Sequence, residues 1–158
     1  MNILENQKIV SAEMVEAILT IVENCPTAVF GGSIALNAVG LLERPVSDVD
    51  IFIDENTSLA RNGMLGTHID DDSLFSDTVT NTNGKPIQRT GIKIKGVKCC
   101  VFKVEQKELE HSEIQFYGKI LKIQNVNYAI QAKIAYSERN PKHKDDLSYI
   151  DKILSKFF

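Results

Sequence analysis

Asp48 and Asp50 stand two apart in Asp48-Val49-Asp50-Ile51-Phe52-Ile53, a run that alternates polar and apolar and then stays apolar. That pattern predicts a half-buried strand. Residues two apart on a strand share a face, so both carboxylates point the same way. A hard divalent cation such as Mg²⁺ (or Mn²⁺) needs such a pair where phosphate oxygens and water complete its shell. Upstream, Gly31-Gly32-Ser33 follows the apolar Ala28-Val29-Phe30. Glycines without Cβ let a ligand approach the backbone. Ser33 as N-cap of a following helix would offer free N–H groups and a positive dipole end to an anion. A phosphate cradle beside a metal pair points to metal-assisted phosphoryl or nucleotidyl transfer.

The elements that must hold these groups follow from the pattern around them. Residues 28–54 read as strand, glycine turn, short apolar helix, loop and second strand. Ile34, Ala35, Leu36, Ala38, Val39, Leu41 and Leu42 suit a buried helix, Gly40 weakens it, and Pro45 and Ser47 end the connection. Residues 11–24 place Met14, Val15, Ile18, Leu19 and Val22 at helical spacing between an N-capping Ser11 and a terminating Pro26. Residues 55–89 are the least regular: one helical turn at Leu59 to Met64, a solvated acidic loop at Asp70-Asp71-Asp72, and a turn from Thr80 to Pro86. Residues 90–104 read as two strands turning at Gly96, and Ile114 to Ile123 as a strand pair broken at Gly118. Helices are expected over 125–138 and, opened by Pro141, over 141–156. The expected fold is α/β, a small mixed β-sheet flanked by helices. No repeat, low-complexity tract or linker divides residues 1–158, so one domain is expected.

Gly-Gly-Ser, an apolar helix, Arg44 and Ser47, then Asp48-x-Asp50 resembles the nucleotidyltransferase superfamily that includes DNA polymerase beta. It is most similar to the small bacterial members: antibiotic, minimal and toxin-type nucleotidyltransferases. The resemblance implies the nucleotidyltransferase fold and Mg²⁺-dependent transfer of NMP from a nucleoside triphosphate to a hydroxyl, releasing pyrophosphate. Gly31, Gly32 and Ser33 would hold the β- and γ-phosphates, with Arg44 contributing or bracing the loop; Asp48 and Asp50 would be catalytic and hold the metal. Near the C-terminus, Asn140-Pro141-Lys142-His143-Lys144-Asp145-Asp146-Leu147 is similar to an Arg-Pro-Lys-His-x-x-Asp-(Ile/Leu) run of small members. By that likeness Lys142 and Asp146 match the motif and Lys133 an upstream helix lysine. Lys133 and Lys142 would neutralise phosphate, and Asp146 could pair with such a cation. An ordinary charged helix start explains the same run equally well.

The superfamily usually draws a third carboxylate from a later strand, and the corresponding run is Val97-Lys98-Cys99-Cys100-Val101-Phe102. Cys100 stands where Asp is expected. A thiol suits Mg²⁺ poorly and, with a pKa near 8.5, is a feeble base at neutral pH. Three accounts stay open. Glu105 or one of Asp70, Asp71 and Asp72 serves instead; two carboxylates suffice, with a base from the substrate or His143; or the protein binds nucleotide without turning it over. The last makes a degenerate nucleotide-binding or interaction protein the alternative function.

With 158 residues, 43% hydrophobic and 25% charged, the chain is ordinary for a globular protein, and its formal net charge of −3 argues against a broad basic nucleic-acid surface. No signal-like segment opens the chain and no run approaches the roughly 20 apolar residues of a membrane span, so a cytoplasmic protein with no membrane partner is expected. Cys25, Cys99 and Cys100 are odd in number and two are adjacent, which excludes a disulfide framework. The acceptor stays open between a small molecule, tRNA and a protein, as does a partner protein in a toxin–antitoxin pair.

Overall fold

The computed structural model describes residues 2–57, 68–80, 84–136 and 141–156, apart from the side chains of 135, 136, 141 and 142. A short 3-10 turn, Ile3–Glu5, leads into α1 (Ala12–Asn24), β1 (Val29–Phe30), α2 (Gly32–Ala38) and β2 (Val49–Asp54). Then come β3 (Ile69–Thr80), β4 (Pro86–Ile94), β5 (Val97–Val104), a 3-10 turn Gln106–Leu109, β6 (His111–Phe116), β7 (Lys119–Gln124), α3 (Val126–Tyr136) and α4 (Pro141–Ser155). The seven strands form one mixed sheet in the order β3-β4-β5-β2-β1-β7-β6. Pairing is parallel at β2–β5 and β1–β7 and antiparallel elsewhere.

Strand alternation gives the sheet two unlike faces. Val49, Ile51, Ile53, Cys99 and Val101 are buried on one side, in a core shared with Met14, Ala17, Ile18 and Ile21 of α1. On the other side Asp50, Phe52, Cys100 and Phe102 face a cleft whose opposite wall includes α3. Ser11 caps α1 as expected, its hydroxyl accepting from the Met14 N–H at 3.3 Å.

Several elements differ from expectation. Ser33 is not the N-cap of α2: Gly31 is, and the helix already begins at Gly32, whose φ of 56° suits glycine. The helix stops at Ala38, with Gly40 at φ 81°, so Leu41 and Leu42 lie beyond it. Among the described residues of 55–89, most are strand rather than irregular. Asp70, Asp71 and Asp72 sit in β3 rather than a loop, and β3 and β4 form a long antiparallel hairpin. Asp70 Oδ2 ties the start of β3 to the β4–β5 turn by accepting from the Gly96 N–H at 2.8 Å. The turn expected at Leu59 to Met64 lies outside the described residues, as does part of the Thr80 to Pro86 turn. Among the described residues no helix is long and apolar enough to cross a membrane.

Candidate functional site

Asp48 precedes β2 and Asp50 lies on it, and both line the cleft together with Gly32, Ser33, Arg44 and Lys133. The cleft has a volume of about 550 Å³. Gly32 must be glycine here: a Cβ would overlap the Asp50 Oδ2 carboxylate oxygen. Gly31 stands behind the cleft wall, where its N–H donates to the Asp50 backbone carbonyl at 2.9 Å and is spent on the fold.

The register of β2 on β5 sets Asp50 beside Cys100. The Cys100 thiol stands beside the Asp50 carboxylate and favours its ionised form. Burial first, then the charges of Asp50 and Asp48, push that thiol up to about 12, so it stays protonated and acts only as a donor. Burial, with Asp48 adding like charge, pushes the Asp50 carboxyl up to about 6. The alternative third carboxylates stand elsewhere. Glu105 caps the second 3-10 turn and pairs with Lys85 and, at 3.3 Å, Lys107. The Asp70 to Asp72 run lies on the sheet-edge strand β3. Among the described residues no three or more His, Cys, Asp and Glu side chains are grouped to hold a metal. The donor set is therefore two carboxylates: no closed cage, yet a fit for a hard cation that keeps phosphate and water ligands.

A second carboxylate anchors the helical wall. Asp146 of α4 accepts a fork from Arg44, Nε to Oδ1 and Nη2 to Oδ2, both at 2.7 Å. Its Oδ2 also meets Lys133 Nζ at 2.8 Å, and His143 Nδ1 lies 3.4 Å from the same ammonium. Burial alone would raise the Asp146 carboxyl, but the bonds from Arg44 and Lys133 outweigh it and hold it below its ordinary value. Burial pushes the Lys133 ammonium below the usual lysine range against the pull of Asp146. Arg44, predicted beside the metal strand, thus joins the loop before β2 to a helix 102 residues later. The side chain of Lys142 lies outside the described residues.

Sequence reasoning passed over the rest of the cleft. Gln124, at the end of β7, is 7% exposed, and its Oε1 has no hydrogen-bond partner among the described residues. It sits in front of Gly31, where an added Cβ would meet it. Nothing local marks Gln124, because only the β1–β7 pairing brings it there. Tyr128 of α3 also lines the cleft.

No protein-family model matches this sequence, and no curated protein matches it. Among solved structures, the chain is similar to the crystal structure of a candidate nucleotidyltransferase from Thermotoga maritima, with a TM-score of 0.63 and 13% identity. The match covers 96% of this chain and 99% of the other. The protein has the nucleotidyltransferase fold, a mixed α/β sheet with four helices.

Proposed function

We propose that this protein is a Mg²⁺-dependent nucleotidyltransferase that moves NMP from a nucleoside triphosphate to a hydroxyl acceptor and releases pyrophosphate. One observation carries the reading: two cleft-facing carboxylates, Asp48 and Asp50, lie against Gly32 and Ser33, with Asp50 raised by burial and by its neighbour's charge. That is a pair in need of a counter-cation. A bound cation would polarise the α-phosphate and offset charge on the leaving pyrophosphate. The Ser33 hydroxyl and the Gly32 backbone would hold the β- and γ-phosphates. Lys133, directed by Asp146, and Lys142 would neutralise them, with Arg44 fixing Asp146 in turn. The acceptor oxygen attacks the α-phosphorus, and the bond from that phosphorus to the bridging oxygen breaks. Pyrophosphate leaves with the electron pair, and the hydroxyl proton passes through the Asp50 carboxylate to solvent. Cys100 orients that carboxylate through its S–H.

The test is transfer of label from α-phosphate-labelled nucleoside triphosphates, with Mg²⁺ or Mn²⁺, into tRNA, cell lysate or an aminoglycoside panel. Asp48→Ala or Asp50→Ala should lower transfer by at least about 1,000-fold, roughly 4 kcal/mol of barrier. Activity retained in either variant ends the assignment. Cys100 in place of a carboxylate favours a second reading, a nucleotide-binding module. It is supported by metal-dependent nucleotide binding without transfer.

A further inference from the structure

Buried polar groups are ordinarily paired, and one left open in a native fold asks for an explanation. Gln124 Oε1 is such a group. The residue is buried in the cleft wall, and this oxygen has no hydrogen-bond partner among the described residues. An unpaired buried acceptor costs folding free energy, whereas an apolar side chain of the same shape does not. The phosphate, metal and proton steps of transfer give Gln124 no role. Its place is set by the backbone. Phe30 pairs with Ile51 on one side and with Ile123 on the other. One residue further on, the Gly31 N–H donates to the Asp50 carbonyl, and Gln124 lies on the far side of Gly31. Asp50, Gly31 and Gln124 therefore stand in one row across the sheet, on strands about 4.8 Å apart. Between the two cleft-lining residues Gly31 has no side chain, and a Cβ there would overlap both the Phe52 ring and Gln124 Oε1. The carboxamide thus extends over Gly31 on the side of Asp50. Rotation about its last torsion, a soft one, turns the same oxygen toward the cleft.

Chemistry narrows the partner. An amide oxygen accepts, so it needs a donor. Phosphate oxygens are acceptors themselves and cannot supply one, even with Gly32 and Ser33 holding them close by. A nucleoside triphosphate carries donors in two places, the ribose hydroxyls and, on some bases, an exocyclic amine. With the α-phosphate held at Asp48 and Asp50, the sugar follows within a few bonds, and the base edge lies beyond it. An oxygen extending over Gly31, next to the Asp50 strand, meets the sugar first. We infer that Gln124 accepts a hydrogen bond from a ribose hydroxyl of the bound nucleotide and thereby selects the sugar of the substrate. The inference rests on the nucleotidyl-transfer reading for the placement of the α-phosphate. It rests on the unpaired oxygen for the contact. Gly31 serves that contact indirectly, because a side chain there would displace the carboxamide.

The test is titration calorimetry, in Mg²⁺, of ATP, 2′-deoxy-ATP, 3′-deoxy-ATP and purine riboside triphosphate, which lacks the base amine. The variant is Gln124→Met, which keeps the length of the side chain and removes the acceptor. Because an unpaired polar atom is lost, the variant should unfold at no lower urea concentration than the parent. The parent should bind ATP about tenfold tighter than one of the two deoxy analogues, the worth of a single hydrogen bond. Gln124→Met should bind ATP about tenfold more weakly than the parent does, and bind that deoxy analogue equally well. Purine riboside triphosphate should lose as much as ATP does. Equal affinity of parent and variant for ATP overturns the inference. So does a loss of the same size for ATP and both deoxy analogues, which gives the oxygen to water on the cation instead. A loss with ATP that is absent with purine riboside triphosphate gives it to the base amine and overturns the sugar assignment. Sugar selection without any label transfer would end the transfer reading alone. Label transfer without sugar selection would end this inference alone.

Discussion

Asp50 in the cleft and Asp146 behind the Arg44 and Lys133 side chains that line it live under opposite conditions. Asp146 is 3% exposed and surrounded by cations, with Arg44 and Lys133 both bonded to it. Asp50 has the acid Asp48 nearby and a thiol on the adjoining strand, with Lys133 and Arg89 acting on it only by their charge. Burial acts on both, yet one carboxyl ends below its ordinary value and the other above it. The difference separates a finished network from an unfinished one. The charges around Asp146 are balanced within the protein, so that cluster ties α3, α4 and the loop before β2 together. The charges of Lys133 and Arg89 offset that of Asp50 only in part, and its carboxyl stays raised.

The largest effect expected from this contrast is at the finished cluster. Asp146→Ala leaves Lys133 buried without its counter-ion and should destabilise the protein by about 3–5 kcal/mol in urea unfolding. A loss below about 1 kcal/mol would mean that Arg44 and Lys133 find other partners and the network is dispensable.

At the unfinished cluster the sign reverses. The folded Asp50 carboxyl sits at about 6, above its ordinary value of 3.8. As pH rises the unfolded chain therefore gives up this proton first. Its contribution to stability is fully present below about pH 4 and is lost as pH climbs through about 6, by up to about 3 kcal/mol. Asp146 runs the other way, its contribution present above the ordinary carboxylate range and lost as pH falls through its depressed value. With chelator present, Asp50→Asn should raise stability at pH 8 by about 2 kcal/mol and remove the loss between pH 4 and 6. It should also abolish transfer. Unfolding curves that match the parent at pH 8 would refute the idea of an uncompensated Asp50.

A smaller change sharpens the comparison from within. Cys100→Asp places a third acid beside Asp50. Calorimetry should show Mg²⁺ binding roughly tenfold tighter, about 1.4 kcal/mol, and thermal unfolding of the metal-free variant should begin lower. Unchanged Mg²⁺ affinity would place the cation away from Cys100.

Residues 28–54 could be read because their information is local: glycines before an apolar run, and two acids at strand spacing. Both strand pairs turning at Gly96 and Gly118 were legible for the same reason, with positive φ at 78° and 80°. The β3–β4 hairpin was opaque because β3 is an edge strand exposed along most of its length. Its aspartates, serines and threonines show no apolar alternation. Ser33 was misplaced by two positions, since a serine before apolar residues suggests a cap unless Gly31 and Gly32 already carry the turn. The Arg44–Asp146 fork spans 102 residues and Gln124 enters through a strand pairing, so neither leaves a trace in any short window.

β1, which joins β2 to β7 within the sheet, is only two residues long. Val29 and Phe30 pair with Phe52 and Ile51 on one side, and Phe30 with Ile123 on the other. The outer parts, β3–β4–β5 and β6–β7, are built from neighbours in the chain and close over short distances. Joining them requires residues 29–30 to meet residue 123, a distant encounter with little ladder to reward it. In stopped-flow refolding, strand content is therefore expected to return before the join that brings Gly32, Asp50 and Gln124 together. Binding competence is the final property this chain acquires and the first that a weakened centre gives up.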